Sequence, residues 1–515
     1  MKYIILLFLT FGFIHNNHAQ KQDYVWFMGV DGSAESGIQG IIWDWNTIDS
    51  EPQIEILPFG IDNNNASICD EDGNLLYWSN GCSVINRNQE VMPNGDTLNW
   101  DIFNELTGWD DCTYGYPGAG NIKIIPDPRN EDSDLEGFYL IHKTIVYVEG
   151  SGVGNYELRH SYVDLTLDEG KGDVVYYDST LYDGAVTNSN LEAILKENGK
   201  DWWIIQPVED DSIFLTYSID QDGITRLPDQ LSNIEFKQFR SGAGTKRISP
   251  NGTKLAYYNY FLNLHVYDFD QATGLISNHQ KVTIFDDAEE MPNDKFRFGS
   301  VEWSPNSRFM YVAVRDSLFQ IDSWEPEMDD GIQLIGVYDG SVQPFATTFY
   351  IATLAPDCKI YICSTSGNRS FNIINKPDEL GAACNFVQNE LQLPGPAGSA
   401  NLPIHPRFRI NEEEKCDPTI TSVFGDLVYY RRDLETYPNP ASDIITIEFP
   451  EGIGDSQLII YNLQGQVMLT REINRSESKV LEDISQFNAG TYNVEVYPKN
   501  NPERILYGKQ IVKVE

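Results

Sequence analysis

Short stretches in which apolar and polar residues alternate, separated by turn residues, fill the chain from about residue 22 to residue 410. Three of these stretches share one pattern: a strand, a turn that carries Pro followed by Asn or Asp, and a second strand rich in β-branched and aromatic residues. The shared prolines are Pro250, Pro305 and Pro356. A repeat of roughly 50 residues is typical of stacked or circular all-β arrays. Because Pro presets φ and Asn or Asp tolerates a positive φ, each copy predicts a β-hairpin.

Weaker copies of the same hairpin precede these three. They cover residues 66–78, 122–141 and 191–206, and two N-terminal strands at 24–29 and 41–45 supply a seventh unit. The start of the third copy also fits a helical turn. The Asn-Gly turn and the two tryptophans that follow it favour a strand instead.

The repeat predicts an all-β fold, a seven-bladed β-propeller over residues 22–410. One blade would combine the N-terminal strands with a strand near residues 407–410, since that arrangement closes the ring and removes exposed sheet edges. A set of stacked β-sandwiches is the alternative. The regular period and the lack of linkers before residue 411 weigh against it.

The composition changes at a charged connector, residues 411–436, and a separate unit follows at residues 437–515. Ile445, Ile447 and Phe449 share one face of a predicted strand. Further short strands within about 80 residues predict a small immunoglobulin-like β-sandwich.

Residues 1–19 predict a secretory signal peptide. Lys2 supplies the positive start, an apolar run follows, and Ala19 and Gln20 flank the expected cleavage site. That run is shorter than the ~20 residues that a membrane-spanning helix needs, and no later run reaches that length, so no transmembrane segment is predicted. The mature protein is expected in a compartment where disulfides form.

The net charge of the chain argues against one class of binding partner, nucleic acids. The chain has 36 Lys and Arg against 77 Asp and Glu, a formal net charge of −41. Such a chain has no means of neutralising phosphates, which argues against a nucleic-acid binder. With 41% hydrophobic and 22% charged residues, it is also predicted to fold rather than to remain disordered.

Several blocks of the chain resemble the secreted propellers of gliding Gram-negative bacteria, including a Ser-Pro-Asn-Gly turn and an Ala-Pro-Asp turn. The matching blocks are residues 66–77, 162–175, 249–256, 355–361 and 374–386. The resemblance covers roughly residues 22–410 and implies a fold more than an activity, because the family's biochemical role is largely undefined. One departure is Cys358, at a turn position where the family carries Gly.

The C-terminal unit resembles the type A sorting domain of the type IX secretion system. The matching motif residues are Pro438, Asn439, Pro440, Gly465, Gly490, Tyr492 and Lys513. The resemblance implies two partners, the secretion machinery and a sortase-like peptidase, and delivery through the periplasm to the cell surface or the medium. Both motif glycines are expected at turns that need a permissive backbone. An ordinary accessory sandwich is the alternative.

No catalytic motif stands out. The sequence has no His-Glu-x-x-His zinc helix and no Gly-x-Ser-x-Gly nucleophile elbow. The acidic loop with Asp132, Asp134 and Glu136 is a calcium candidate, but it lacks the bidentate acid that completes a calcium loop. No other cofactor is predicted.

Seven cysteines leave at least one unpaired if all pairs form within the chain. Cys82 with Cys112, and Cys363 with Cys384, are the expected disulfides because each pair closes a short loop within one blade. Cys358 is expected to be unpaired. The spacing alone does not fix this connectivity.

The leading functional hypothesis is a secreted or cell-surface propeller that binds an unknown protein or glycan through its loops. The alternative is an extracellular carbohydrate-active enzyme that uses carboxylates on the central face. An inward cluster of two or three Asp or Glu with shifted pKa values near the axis would favour the enzyme. A surface-layer or adhesion component without a small ligand is a third hypothesis.

Overall fold

The computed structural model describes the following parts of the chain: residues 21–29, 40–46, 53–54, 57, 60–61, 63–100, 112, 115–130, 135–148, 152–234, 244–285, 297–393, 402–409, 432–449, 456–462, 466–474, 477–498 and 507–514. The predicted signal peptide, with Ala19 and Gln20, lies outside them. Among the described residues no helix is long and apolar enough to cross a membrane.

Seven antiparallel sheets follow one another along the described residues from Val25 to Gln392. Sheet 1 consists of β1 (Val25–Met28), β2 (Ile41–Asp44) and β3 (Gln53–Ile54). Sheet 2 consists of β4 (Ala66–Cys69), β5 (Leu75–Ser79) and β6 (Val84–Asn86). Sheet 3 consists of β7 (Ile122–Pro126), β8 (Gly137–Val148), β9 (Gly152–Asp164) and β10 (Asp173–Val186).

The remaining four sheets continue the same up-and-down order. Sheet 4 consists of β11 (Glu192–Leu195), β12 (Trp202–Pro207), β13 (Ile213–Asp220), β14 (Gly223–Arg226) and β15 (Gln230–Leu231). Sheet 5 consists of β16 (Lys246–Ile248), β17 (Lys254–Asn259), β18 (Asn263–Asp270) and β19 (Leu275–Val282). Sheet 6 consists of β20 (Gly299–Trp303), β21 (Phe309–Val314), β22 (Ser317–Asp322) and β23 (Ile332–Val337). Sheet 7 consists of β24 (Ala352–Leu354), β25 (Ile360–Ile362), β26 (Ser370–Ile374) and β27 (Phe386–Gln392). Short 3-10 turns lie at Asp168–Gly170, Met328–Gly331 and Gly381–Cys384.

The three repeated hairpins are confirmed as β16–β17, β20–β21 and β24–β25. Their turns share one left-handed position, occupied by Gly252 at φ 71°, Ser307 at φ 61° and Cys358 at φ 66°. A glycine is therefore not required there, which explains why the third copy tolerates a cysteine. The ambiguous segment before the two tryptophans is strand β11, as the turn chemistry predicts.

Each sheet packs against the next through large side chains. Phe27 of sheet 1 stacks on Trp78 of sheet 2 with ring centroids 4.5 Å apart. Phe214 of sheet 4 meets Tyr267 of sheet 5 at 5.2 Å. The same kind of core continues between sheets 5 and 6 and between sheets 6 and 7.

The last sheet packs against the first. Trp43 of β2 meets Tyr361 of β25 edge-on, with ring centroids 5.1 Å apart. One buried cluster joins residues of both sheets, including Trp26 and Phe371. Among the described residues, each of the seven sheets therefore packs against the next and the last packs against the first, and this arrangement is here called the ring.

The ring does not close in the predicted way. The expected strand near residues 407–410 was assigned to the first unit, but sheet 1 contains β1 to β3, all from the N-terminal region. Arg407 instead forms an isolated parallel bridge with Ile194 of β11 in sheet 4. The prediction is wrong at Arg407 because this part of the segment, residues 402–408, is buried and pairs with the first strand of sheet 4 rather than with sheet 1.

The C-terminal unit has two sheets. The larger, in the order β28-β35-β34-β31-β32, consists of β28 (Arg432–Asp433), β31 (Ser456–Asn462), β32 (Val467–Ile473), β34 (Gly490–Pro498) and β35 (Tyr507–Lys513). The smaller, in the order β29-β30-β33, consists of β29 (Glu435–Tyr437), β30 (Ile444–Glu448) and β33 (Lys479–Asp483). Ile447 of the smaller sheet and Val494 of the larger share one buried cluster. Strands β28 and β29 begin before residue 437, within the predicted connector.

Candidate functional site

Residues 402–409, here called the axial segment, lie at the centre of the ring. Their partners come from six of the seven sheets, and nearly all of these partners belong to the first strand of their sheet or to its flanking residues. Only a segment at the middle of a closed ring can reach so many sheets at once. The axial segment therefore fills the place where a central channel would otherwise run.

The backbone of the axial segment pairs with sheet 4. The amide of Arg407 donates to the carbonyl of Ala193 at 2.9 Å, and the amide of Leu195 donates to the carbonyl of Arg407 at 3.1 Å. This is the pattern of a strand added alongside β11. The pairing satisfies backbone groups that would otherwise be buried without partners.

Side chains of the ring bind the carbonyls of the axial segment. Lys123 of β7 donates to the carbonyl of Ile404. Arg247 of β16 donates to the carbonyl of His405 at 3.1 Å, and Thr353 of β24 to that of Pro403 at 3.2 Å. Three sheets thus fix three successive carbonyls.

The two arginines of the axial segment bind buried carboxylates. Arg407 pairs with Glu302 of β20 and also donates to the carbonyl of Ile248 at 3.0 Å. Arg409 makes a bidentate contact with Asp23, at 2.9 and 2.7 Å. Planar bidentate contacts of this kind are among the stronger charge-assisted hydrogen bonds.

Two glutamates and one arginine of the ring connect these contacts into a network. Arg247 donates to Glu192 at 3.3 Å and to Glu302 at 3.1 Å. Burial raises the pKa of the Glu302 carboxyl, but Arg247 and Arg407 outweigh burial and hold that pKa below its ordinary value. The Glu302 carboxylate is therefore stabilised as the partner of two arginines, which disfavours a role as a proton donor.

Three buried lysines lie in the same region without a carboxylate in direct contact among the described residues. Lys246 donates to the Ser189 hydroxyl at 2.8 Å, and Lys143 donates to the carbonyl of Thr187 at 3.0 Å. Burial lowers the pKa of Lys123 and of Lys246 to about 7 and lowers that of Lys143 well below its ordinary value. These ammonium groups are costly to keep charged inside the ring.

The lowered lysine pKa values predict how stability depends on pH. Unfolded lysine has a pKa of about 10.4, so between about pH 7 and pH 10 the unfolded chain binds more protons than the ring. The free energy of unfolding should therefore rise as the pH rises through this window. Denaturant titrations at pH 7, 8 and 9 measure the slope. The slope of the free energy of unfolding against pH should decrease in Lys246→Met. It should stay unchanged in the control Lys376→Met, which replaces an exposed lysine. A free energy of unfolding that stays constant or falls between pH 7 and pH 9 in the natural protein would contradict the prediction.

The axis does hold inward acids with shifted pKa values, Asp23 and Glu302, but both shifts are downward: burial raises each pKa, and the adjacent arginines outweigh burial. The proton donor of a glycosidase needs a raised pKa instead. Glu192 and Glu302 point inward, but both are held by Arg247. The cavity beside the axial segment has a volume of about 10 Å³ and is lined partly by Asp23, His405 and Arg409. That volume admits at most one water molecule. A sugar therefore does not fit this cavity.

One buried acid does have a raised pKa. Burial raises the pKa of Asp211 to about 7, although Tyr257 donates to its Oδ1 at 2.8 Å and Asn259 donates to its Oδ2 at 3.1 Å. Both partners belong to β17, so Asp211 connects sheet 4 to sheet 5. It faces packed side chains and serves the contact between two sheets.

Most of the calcium candidate lies outside the described residues. Asp132 and Asp134 lie outside the described residues, and Glu136 is exposed, with its carbonyl accepting from the amide of Leu165 at 2.7 Å. Among the described residues no three acidic, histidine or cysteine side chains are grouped to hold a metal ion.

The cysteines pair only partly as expected. Cys82 and Cys112 form a disulfide. The predicted Cys363–Cys384 bond is wrong, because the two buried cysteines are not joined and lie in different cores. Cys363 packs in the core between sheets 7 and 1, whereas Cys384 packs in the core between sheets 6 and 7. Cys358, expected to be unpaired, is disulfide-bonded.

The predicted sorting motif is brought together from distant parts of the sequence. Asn439 accepts from the amide of Val512 at 2.9 Å, and Ala441 forms a bridge with Lys513. Pro438 and Pro440 flank Asn439, so the start and the end of the unit meet here. The Tyr492 hydroxyl donates to the carbonyl of Asn488 at 2.8 Å.

The expectation for the motif glycines is corrected at one position. Gly465 lies outside the described residues. Gly490 begins strand β34 rather than occupying a strained turn, and a Cβ added there would meet only open space. Neither backbone strain nor close packing therefore explains why the motif has a glycine at position 490.

Comparison with known proteins identifies the C-terminal unit. The family described as "Secretion system C-terminal sorting domain" matches residues 435–513. The C-terminal unit is a type IX sorting domain. Its presence indicates secretion to the cell surface or the extracellular space by way of the type IX machinery, with which the sorting domain interacts. No curated protein matches the chain by sequence.

Solved structures resemble the chain only distantly. A candidate 6-phosphogluconolactonase from Bacteroides fragilis is 12% identical, with 90% of this chain and 98% of that chain covered, at a TM-score of 0.36. A similar protein from Bacteroides uniformis is 9% identical, with 89% and 99% covered, at a TM-score of 0.35. A protein of unknown function from Desulfotomaculum acetoxidans is 14% identical, with 69% and 87% covered, at a TM-score of 0.30. At these values the likenesses support no inference about activity.

The residues that build the axis were missed at the level of sequence. A signal was present: Lys123, Glu192, Lys246 and Glu302 each interrupt or begin the apolar first strand of a hairpin. A charged residue in a strand that is otherwise buried indicates an internal ion pair or a buried ligand.

Proposed function

We propose that residues 22–410 form a seven-bladed β-propeller that the sorting domain delivers to the cell surface, where it acts as a binding scaffold. In this proposal residues 411–436 are the connector, and residues 437–515 are an immunoglobulin-like sandwich that a sortase-like peptidase removes. The seven successive sheets, with sheet 7 packed on sheet 1, support the blade count.

The axial segment, which fills the centre of the ring, is the observation that favours a binding protein over an enzyme. A glycosidase needs two carboxyl groups flanking an open cleft, one of them able to donate a proton. The inward glutamates of this ring bind arginines, and the axial segment covers them. Binding through exposed surfaces is therefore the better-supported function.

An aromatic surface on sheet 3, exposed at its outermost strand, is suited to a glycan. Tyr139, Tyr162 and Tyr176 lie side by side across β8, β9 and β10, and the rings of the last two stack at 5.7 Å. Tyr176, on the outermost strand, is 36% exposed, whereas Tyr139 is buried. Arg129 lies over the first two rings, 5.9 Å from each centroid. Exposed rings beside a charged group offer a sugar both a stacking face and a hydrogen-bond donor.

A glycan array combined with a hydrolysis screen on the purified protein tests the proposal. A bound glycan should not be cleaved, and its binding should be lost in Tyr176→Ala and retained in Tyr176→Trp. Trp324→Ala is the matched control, since Trp324 is 68% exposed but follows β22 on sheet 6. Hydrolysis of the bound glycan, equal loss in the control, or the absence of any glycan binding would contradict the proposal.

A further inference from the structure

The axial segment is held as protein domains hold an extended peptide ligand. A strand-like backbone pairing to β11 provides general affinity, and pockets receive individual side chains. Phe408 lies edge-on against Trp202, with ring centroids 5.4 Å apart. Leu402 and Ile404 enter the cluster between sheets 7 and 1.

Charge adds a second level of recognition. The arginines at positions 407 and 409 reach two different carboxylates, Glu302 on sheet 6 and Asp23 before sheet 1. A lysine would supply only a point charge at the bidentate contact with Asp23. The channel is thus complementary to an extended segment with two arginines separated by one aromatic residue.

The groups that recognise the segment belong to the ring. Lys123, Thr353 and Glu302 lie on strands whose own sheet pairing is complete without residues 402–409. Among the described residues only β11 pairs its backbone with the segment. The segment is therefore an added strand in a site that the ring itself builds.

We propose that the centre of the ring is a peptide-binding site and that residues 402–409 are its tethered ligand. The ligand class is an extended peptide of the type Pro-x-His-Pro-Arg-aromatic-Arg. The tether keeps the effective concentration of this segment high, so a peptide from another chain enters only when the segment is detached or weakened. This inference does not depend on the glycan surface of sheet 3.

The test uses the full-length protein with a protease recognition sequence inserted after Pro394 and cut after purification. Cys358→Ser is included so that a disulfide at that position cannot hold the pieces together; Ser307 shows that serine fits the equivalent turn. A fluorescent peptide, Leu-Pro-Ile-His-Pro-Arg-Phe-Arg, is then added in excess. A control peptide carries alanine in place of both arginines.

The cut C-terminal piece should co-elute with the ring and be displaced by the arginine peptide. The alanine peptide should bind about 100-fold more weakly, since two charge-assisted contacts are lost. Loss of the C-terminal piece on cutting alone would overturn the proposal. So would its retention in the presence of excess arginine peptide.

An uncut variant gives an independent test. In full-length Arg407→Ala/Arg409→Ala the tethered segment is weakened, and the arginine peptide should bind saturably, whereas the natural protein should not bind it. Circular dichroism establishes that the variant is folded. A folded variant that fails to bind the peptide, or equal binding by the natural protein, would overturn the proposal.

Discussion

Arg407→Ala should destabilise the ring by about 3 kcal/mol, the lower end of the loss expected when one partner of a buried ion pair is removed. Arg407 and Glu302 are both buried, and the substitution also removes the bond to the carbonyl of Ile248. Glu302 keeps Arg247, which is why the larger values of that range are not expected. Denaturant unfolding followed by tryptophan fluorescence measures the change.

Arg226→Ala is the matched control for this substitution. Arg226 pairs with Asp229, but both side chains are more than a third exposed, so its loss should cost less than about 1 kcal/mol. The loss of stability in Arg407→Lys should lie between those of the two alanine variants, because lysine keeps the positive charge but lacks the planar guanidinium donor. Equal stability of Arg407→Ala and Arg226→Ala would show that the axial segment does not hold the ring together.

Deletion of residues 435–515 should leave the ring folded but almost absent from the cell surface. The sorting domain has its own buried core, and the ring clusters contain none of its residues. The ring should therefore remain in the periplasm, where fractionation and surface proteolysis of a native host detect it.

Two substitutions to aspartate in the sorting domain distinguish the effect of unfolding the domain from the effect of changing its charge. Val494→Asp places a carboxylate in the core of the sorting domain and should abolish surface display as fully as the deletion does. Lys479→Asp introduces the same residue at an exposed position of β33 and should leave display unchanged. Undiminished display of the deletion variant would rule out the sorting role.

The local parts of the fold were predictable because their causes are local. The turns at Pro250, Pro305 and Pro356 fix φ and mark hairpins, and the structure has a hairpin at each of them. Even the helix-or-strand ambiguity at Leu191 is resolved correctly by the next turn. Turn chemistry and alternation act over a few residues, so one sequence is sufficient to read them.

The path of the axial segment depends on contacts across the whole chain. Its partners Asp23 and Lys123 lie hundreds of residues away in sequence, and its two prolines interrupt any strand pattern. The same reason explains the wrong cysteine pair. Cys363 and Cys384 are close in sequence, but they lie in the cores on opposite sides of sheet 7.

Native-state hydrogen exchange tests most directly whether the ring closes around its own segment. The amides of Arg407 and Leu195 form the two backbone bonds that join the segment to β11, and the amide of Ile204 in the neighbouring β12 is an internal reference. We predict that the amides of Arg407 and Leu195 are strongly protected and share one free energy of opening, no higher than that of Ile204. Rapid exchange at Arg407 while Ile204 remains protected would show that the segment is not part of the folded ring.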